Sequence, residues 1–495
     1  MFRPRPRDGW LIAVSVAIAW ALFPALPAVW RGEIIGQPYT DLYPSVWGLR
    51  QFLDGQPGVP LHTDLFGAPE GIGFYYSSPL HGWAAIPLAW MGGTVFAYNA
   101  TLVLARFATI LLAYGAFTAM SLGPWGALAA ATVYGASPFF HGYAVEGIVE
   151  GTDGWAMALW AWMVLKERRV LAPIAFTLTV LSSWYLGMVA CLLAAAWGVR
   201  NRRAWASMAG GLLLAAPMLY AFSHAFGGNA PLPDDIRAAM GAHIGIPSPG
   251  ILAPMNVYAL NAYVGFAVIA LAAPSMSRNP ALVAGVLVCA VLSLGQGPWW
   301  HLPVLEQVRF PYRWHAGTLF CLAPMVGQTV DRLRYGWIGL LPLVEGLLLG
   351  PTEPVLPGAP TAVPALYSEV RGPVLLEVPG PVAMPPGVIN RSRPRARYLQ
   401  YYQLTHGARS PWTLDFNGIS ASTNASWLTS FVAYDPIVKA TPGELDLRGA
   451  RAAGVTQIMV HRDELAGNAQ AFEAALLADG ATVVNVAGNL ALYAL

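Results

Sequence analysis

Long apolar runs separated by short polar connections dominate the first 350 residues of the chain. We count about eleven such runs, most of them close to the ~20 residues that a helix needs to cross ~30 Å of hydrocarbon. A further apolar segment, residues 82–97, is expected to be re-entrant or interfacial. The pattern predicts a polytopic α-helical membrane domain of about 11 transmembrane helices over residues 1–350.

The pattern changes after residue 350, where a proline-rich stretch leads into sequence typical of a soluble domain. Short apolar runs bounded by turn residues predict strands, and an amphipathic run predicts one helix. The predicted strands are residues 374–378, 455–460, 482–486 and 490–493, the last two forming a hairpin, and the predicted helix is residues 470–479. Residues 351–495 are therefore expected to form a small C-terminal α/β domain.

Composition supports a membrane protein and excludes several other classes. The chain is 56% hydrophobic and 11% charged, whereas soluble domains carry about 25% charged residues. A net charge of +2 gives no electrostatic footprint for nucleic acid. The three cysteines, Cys191, Cys289 and Cys321, lie in apolar runs and offer neither a disulfide framework nor metal-binding spacing.

The distribution of basic residues predicts the orientation in the membrane. With the N-terminus in the cytoplasm, the inner connections carry clusters such as Lys166, Arg168 and Arg169, and the outer loops carry far fewer arginines. The long loop of residues 31–81 then lies outside, and so does the C-terminal domain. We expect a multi-pass membrane protein with a cytoplasmic N-terminus and an extracytoplasmic C-terminal domain.

The first outer loop contains Asp41, which follows the first apolar run at the membrane surface. A carboxylate there can act as a general base or as a ligand for a divalent cation, Mg²⁺ or Mn²⁺. The alternatives are a solvated loop acid or a cap for a helix beginning near Pro44. Asp54, Asp64 and Glu70 in the same loop are expected to be solvated.

Three arginines are candidates for binding a phosphate group. Arg106 lies within an apolar run, and a charge at membrane depth usually faces a polar cavity or partner. Arg309 and Arg313 flank a Phe-Pro-Tyr sequence before a late apolar run. The planar guanidinium suits phosphate oxygens. Snorkelling or an ion pair remains the alternative for Arg106, and interfacial anchoring or pairing with Glu306 remains the alternative for the other two.

A dense polar cluster between two apolar runs contains His141, Glu146, Glu150 and Asp153. These side chains could bind sugar hydroxyls or a hard cation, although the spacing is no recognised metal signature. The alternative is a hydrated loop in which Asp153 caps the following helix. In the C-terminal domain, His406 and His461 are candidates for lining a binding cleft, with structural turns as the alternative. The chain has no P-loop and no GxGxxG motif, which argues against a nucleotide-driven pump.

Several of these features together resemble the GT-C superfamily of integral membrane glycosyltransferases, in particular bacterial mannosyltransferase-like and YfhO-like proteins. The resemblance is carried by Asp41 after the first helix, the Ser137-Pro-Phe-Phe-His-Gly142 motif, the Arg309–Arg313 element, and the C-terminal stretches 398–407 and 454–463. Many members carry paired acids in the first loop, whereas Asp41 stands between Thr40 and Leu42.

The resemblance implies a location in the cytoplasmic membrane and an inverting transfer of a sugar from a polyprenyl-phosphate donor to an extracytoplasmic glycan, lipid or protein acceptor. Asp41 would be the base or would help to bind a cation, and no other cofactor is implied. Two other classes remain open. A transporter or lipid flippase would need polar residues near the bilayer midplane and paired discontinuous helices. A non-catalytic membrane assembly protein would tolerate replacement of Asp41.

Overall fold

A computed structural model of the protein describes residues 6–38, 41–199, 201–227, 262–295, 308, 310–333, 335–350, 354–380, 394–412, 426–436 and 441–495. Its helices, in chain order, are α1 (Pro6–Leu22), α2 (Leu26–Trp30), α3 (Leu42–Asp54), α4 (Pro79–Ala119), α5 (Pro124–Gly135), α6 (Pro138–Val145), α7 (Val149–Thr152), α8 (Gly154–Leu165), α9 (Leu171–Ser182), α10 (Trp184–Gly198), α11 (Arg202–Gly227), α12 (Phe266–Met276), α13 (Pro280–Ser293), α14 (His315–Arg332), α15 (Leu341–Leu349), α16 (Pro394–His406), α17 (Ser426–Val432), α18 (Leu447–Ala452), α19 (Arg462–Leu465) and α20 (Ala469–Ala478). The strands are β1 (Ile34–Ile35), β2 (His62–Thr63), β3 (Ile72–Gly73), β4 (Gly358–Ala359), β5 (Leu375–Val378), β6 (Gln457–His461), β7 (Thr482–Ala487) and β8 (Leu490–Ala494).

The chain divides into two compact units, each made of three segments. The first unit contains Met1–Gln37, Ser77–Met218 and His243–Pro360, and the second contains Pro38–Tyr76, Leu219–Ala242 and Thr361–Leu495. The predicted boundary near residue 350 therefore lies ten residues too early. Most of the first loop, residues 38–76, groups with the C-terminal residues instead of with the helical domain.

The first unit is a bundle of apolar helices, several of which begin at a proline. Pro79, Pro124, Pro138 and Pro280 stand in the first turn of α4, α5, α6 and α13, where the missing N–H would have no intrahelical partner. Large apolar side chains lie on the surface of this unit, including Trp30 at 92% exposure and Trp90 at 85%. Such a surface suits contact with lipid.

Two helices in the described ranges are long and apolar enough to cross a membrane, Pro79–Ala119 and Arg202–Ala225. The other apolar helices that the structure describes in this unit have 10–17 residues, and at 1.5 Å per residue each is shorter than ~30 Å of hydrocarbon. The prediction of about eleven spans therefore stays a prediction. Helix α4 joins two runs that the sequence separates, residues 82–97 and 99–121, with a break at Gly93, whose φ of 77° favours glycine.

The second unit contains a four-stranded sheet with the order β5-β6-β8-β7. Strand β5 is parallel to β6, whereas β8 is antiparallel to both β6 and β7. All four strands and helix α20 were expected from the sequence to within two residues, and the β7–β8 hairpin turns at Gly488, whose φ is 59°. This part of the chain therefore contains both a sheet and helices, while a separate C-terminal domain and its position outside the membrane stay predictions.

Residues of the first loop complete the second unit from a distant part of the sequence. The Trp47 indole of α3 donates to Gln403 of α16 over 2.7 Å, and the Gln403 amide donates to the backbone of Leu65 over 2.7 Å. Trp412 and Gly67 are also joined, through a backbone hydrogen bond of 2.8 Å. Helix α3 and the β2–β3 hairpin are therefore structural parts of this unit.

Candidate functional site

The polar cluster predicted between two apolar runs forms the junction of α6, α7 and α8 in the first unit. Helix α6 begins at Ser137, whose hydroxyl accepts a hydrogen bond from the Phe140 N–H, as is typical of an N-cap. His141 lies in α6, and Glu150 lies in the short helix α7. Gly147, with φ 67°, makes the turn between these two helices.

Arg313 is bound to this junction. It lies in a 3₁₀ turn, Pro311–Trp314, directly before α14. Its Nη2 atom donates to Glu150 Oε1 over 3.2 Å, and the side chain is only 8% exposed. Both residues of this ion pair were candidate site residues in the sequence, but the sequence did not indicate that they contact each other.

Four aromatic rings surround the Arg313 guanidinium. Its Cζ atom lies 4.2 Å from the ring centroid of Tyr185, 5.0 Å from Phe310, 5.7 Å from Tyr143 and 6.0 Å from Tyr312. The electron-rich ring faces stabilise the buried cation. The arginine is thus held as a fixed positive charge, and its Nε atom has no hydrogen-bond partner in the described part of the chain.

Two serines at the start of α4 bind the acids of the junction. Ser77 donates to Glu150 Oε2 over 3.3 Å, and Ser78 donates to Asp153 Oδ2 over 3.2 Å. The indole of Trp155 donates to the other Asp153 oxygen over 3.0 Å. No local pattern singles out these serines, because they become partners of the acids only through the packing of α4 against α7 and α8.

Asp153 lies between α7 and α8, outside both helices, and its side chain does not cap α8. Asp153 therefore occupies the N-cap position, as the alternative expected, but its carboxylate binds Ser78 and Trp155 instead of a backbone N–H of α8. Burial raises the pKa of Asp153 to about 7, against the lowering effect of these two hydrogen bonds. A carboxyl group with that pKa can gain or lose a proton near neutral pH.

Arg106 belongs to a different group of contacts. Its Nη2 atom donates to the backbone oxygen of Trp20 over 3.0 Å and lies 3.2 Å from His141 Nδ1. The guanidinium also lies 5.0 Å from the Trp20 ring centroid. Because Trp20 is in the last turn of α1, where backbone carbonyls lack helical partners, Arg106 ties the end of α1 to α4. Its Nε and Nη1 atoms have no partner in the described residues.

Two further acids predicted as site residues, Glu146 and Asp41, lie in different units of the chain. Glu146 is buried at the end of α6, and its backbone N–H donates to Gly142. Asp41 lies in the second unit, half-buried, directly before α3. It occupies the N-cap position of α3, where its backbone oxygen accepts from Ser45, but its side chain makes no capping hydrogen bond. Arg309 lies outside the described residues.

Within those residues, no three His, Cys, Asp or Glu side chains are grouped as metal ligands. His141 and Glu150, which were predicted in one cluster, have different partners, Arg106 and Arg313. The divalent cation at Asp41 stays a prediction that this geometry does not test.

His461 and His406 lie beside a buried acid in the second unit. His461 Nε2 lies 2.6 Å from Glu377 Oε2, and the Tyr367 hydroxyl donates to the same oxygen over 3.1 Å. The His406 ring stacks on Tyr367 at 5.6 Å between centroids. His461 is 1% exposed, so it lies in the interior and not in an open cleft. Glu377 is a charged residue within an otherwise apolar, buried strand. This unusual position is the feature of the sequence that could have identified it as a candidate.

His406 predicts a pH dependence of stability for the second unit. Burial lowers its pKa, although the nearby Glu377 opposes this. The unfolded chain then binds a proton more readily than the folded chain, so stability is lost as the pH falls below about 6.5. We expect His406→Gln to lose less thermal stability than the wild type between pH 7.5 and 5.5, measured by melting at both values. Equal losses would contradict this role.

The four aromatic rings around Arg313, here called the Arg313 cage, predict the order in which substitutions of this residue lower the stability of the protein. Arg313→Gln removes the cation from Glu150 and from four rings, and we expect a loss of about 2 kcal/mol. Arg313→Lys should lose an intermediate amount of stability, because lysine keeps the positive charge but its ammonium group is not planar and cannot stack on the Tyr185 ring. Thermal unfolding of the purified protein measures both. Arg203→Gln is the control, since Arg203 pairs with Glu167 on the surface and should cost under about 0.5 kcal/mol.

Comparisons with solved structures identify the fold. The arabinofuranosyltransferase AftD from Mycobacteria superposes with a TM-score of 0.66 and 17% identity, over 99% of this chain and 40% of its own. The oligosaccharyltransferase AglB from Archaeoglobus fulgidus, solved with an inhibitory peptide and a dolichol-phosphate, gives 0.54 and 11%, over 92% of this chain and 69% of its own. This chain thus spans about two fifths of the length of AftD. No protein-family model and no curated protein matches the sequence. The superpositions show that this chain shares its fold with these two glycosyltransferase structures.

Proposed function

From the GT-C fold of this chain, we propose that the protein is a membrane glycosyltransferase that moves a sugar from a polyprenyl-phosphate donor to an extracytoplasmic acceptor. The observation that carries the proposal is the superposition on a glycosyltransferase over 99% of the chain. A second structure of this fold was solved with a dolichol-phosphate, which supports a lipid phosphate as the carrier. The acceptor would be a glycan, a lipid or a protein.

The proposed reaction is an inverting displacement at the anomeric carbon. The acceptor oxygen forms a bond to that carbon, and the bond from carbon to the phosphate oxygen breaks. The lipid phosphate leaves with the electron pair. The proton of the acceptor hydroxyl passes to Asp41 as general base. A divalent cation, Mg²⁺ or Mn²⁺, held by Asp41 is the other role that the resemblance implies for this carboxylate.

Arg313 is the arginine that we propose for the donor phosphate. Its guanidinium is buried and held by aromatic rings, and only one of its nitrogens is paired with Glu150. A fixed cation can stabilise the charge that develops on a departing phosphate without reorganising. Arg106 and Arg309 remain further proposals for the same role. Arg106 is the weaker of these two, because its guanidinium already binds the end of α1.

The orientation is part of the proposal and rests on the basic residues. Lys166, Arg168 and Arg169 follow α8 and stand on the side that the positive-inside rule assigns to the cytoplasm. The N-terminus would then be cytoplasmic, and the second unit would lie outside the membrane. Acceptors assembled on the outer surface of the cytoplasmic membrane would be accessible from that side.

A transfer assay with defined donors tests the function directly. Purified protein in lipid nanodiscs would receive radiolabelled mannosyl and arabinofuranosyl esters of a polyprenyl phosphate, together with cell-envelope glycan, lipid and protein fractions. We expect label to appear in one acceptor fraction, with release of polyprenyl phosphate in equal amount. Label that stays entirely on the lipid with every acceptor fraction would contradict the proposal.

A further inference from the structure

The start of α14 contains buried polar atoms that the known contacts do not explain. His315 is 0% exposed, and neither of its ring nitrogens has a hydrogen-bond partner in the described part of the chain. The same is true of Thr318 Oγ1, one turn later, and of the Trp314 indole nitrogen. Burying such atoms without partners costs folding free energy. A group of them within five residues therefore indicates a site that is completed by a bound molecule.

His315 adjoins the Arg313 cage through one aromatic pair. Its ring meets that of Phe139 edge-on at 5.3 Å, and the Phe139 ring meets that of Tyr143 at 5.0 Å. Tyr143 in turn lies 5.7 Å from the guanidinium of Arg313. The imidazole therefore contacts Phe139 and the guanidinium lies near Tyr143, and these two rings of α6 contact each other. A ligand phosphate on Arg313 would place the group that it carries close to this pair.

The chemistry of these atoms suits a sugar better than a second anion. A neutral imidazole offers one N–H donor and one bare nitrogen acceptor in either tautomer, and a threonine hydroxyl offers both functions. A phosphate oxygen can only accept, so it would leave the bare nitrogen unsatisfied. A sugar hydroxyl both donates and accepts. The faces of Phe139 and Tyr143 could pack against the C–H groups of a sugar ring.

We propose that the start of α14 binds the sugar of the donor, with His315 and Thr318 hydrogen-bonded to its hydroxyl groups, and that these two residues determine which sugar is accepted. This inference rests on the proposed function. The phosphate is assigned to Arg313 in the 3₁₀ turn, and the sugar to the first turn of α14, which follows it directly. A site built to bind hydroxyl groups rejects a ligand that lacks them, because its own polar atoms would then stay unpaired.

The test compares lipids with and without a sugar. Binding of a bare polyprenyl phosphate, and of its mannosyl and arabinofuranosyl esters, is measured on the whole protein in nanodiscs. We expect the wild type to bind one ester more tightly than the bare lipid. His315→Phe should lower the affinity for that ester by about 10- to 100-fold, and Thr318→Val should lower it by about 10-fold. Neither substitution should change the affinity for the bare lipid. Arg313→Gln should weaken both lipids.

Stability distinguishes lost binding from lost folding. His315→Phe replaces unpartnered nitrogens with an apolar ring, so its melting temperature should equal or exceed that of the wild type. The control is Thr179→Val, because the Thr179 hydroxyl is already bonded to Ala175 over 2.9 Å, and lipid affinity should not change. If His315→Phe keeps the preference for the ester, the inference is wrong and the proposed function stands. If the wild type binds none of the three lipids, both are wrong.

Discussion

Asp41→Asn is expected to reduce sugar transfer by about 10²- to 10⁴-fold, the contribution of a positioned general base. Asparagine has the shape of aspartate but cannot take the acceptor proton. The fold should survive, since the Asp41 side chain does not cap α3 and its backbone oxygen, which accepts from Ser45, is unchanged by the substitution. Initial rates with the radiolabelled donor, at equal amounts of folded protein, measure the effect.

The matched control is Asp54→Asn at the other end of the same helix. Asp54 pairs with Arg50 over 2.8 Å on the surface, with both side chains about half exposed, so the change should leave the transfer rate within about twofold. Full activity of Asp41→Asn would remove the carboxylate from the mechanism. Addition of a chelator separates the two roles of Asp41, because only a cation ligand would make transfer depend on Mg²⁺ or Mn²⁺.

Removing the Glu377 carboxylate should produce the largest loss of stability in the second unit. Glu377→Leu leaves His461 buried without the oxygen 2.6 Å away and takes an acceptor from Tyr367. We expect a loss of about 3 kcal/mol, because breaking a buried polar pair from one side strands the other partner. Hydrogen exchange of peptides that contain β5 and β6, analysed by mass spectrometry, reports this loss locally.

A second pair of equal length provides the control for Glu377. Arg462 and Glu473 are also 2.6 Å apart, but the arginine side chain is 32% exposed. Glu473→Gln should therefore cost about 1 kcal/mol or less. A double-mutant cycle over Glu377 and His461 isolates their coupling. Equal effects of the two single substitutions, at Glu377 and at Glu473, would show that burial does not strengthen the first pair.

Local patterns in the sequence were enough to predict the elements, because their signals lie within a few residues. Period and length identified strands β5 to β8 and helix α20 to within two residues. The same reasoning separated residues 82–97 from 99–121, where the structure has one helix with a break at Gly93. Glycine is compatible with a break inside one helix and with a boundary between two helices, so the sequence alone could not distinguish these two structures.

The partners within the candidate site could not be predicted in this way. Arg313 and Glu150 are 163 positions apart, and no local pattern indicates that they form an ion pair. The aromatic rings around Arg313 could not be predicted for the same reason, since Tyr185 and Tyr143 lie in different helices. His315 escaped notice because one histidine in an apolar helix has no distinctive pattern. Its significance appears only when the absence of a hydrogen-bond partner is known.

The interleaving of the two units has a consequence for gene rearrangement. The chain passes from one unit to the other at residues 37, 76, 218, 242 and 360. A gene fragment encoding only residues 361–495 would lack Trp47 and Leu65, which hold Gln403. Recombination therefore could not transplant this unit as a cassette, and a stop codon near position 360 would leave α3 without the helix on which it packs. The two units are expected to be inherited together.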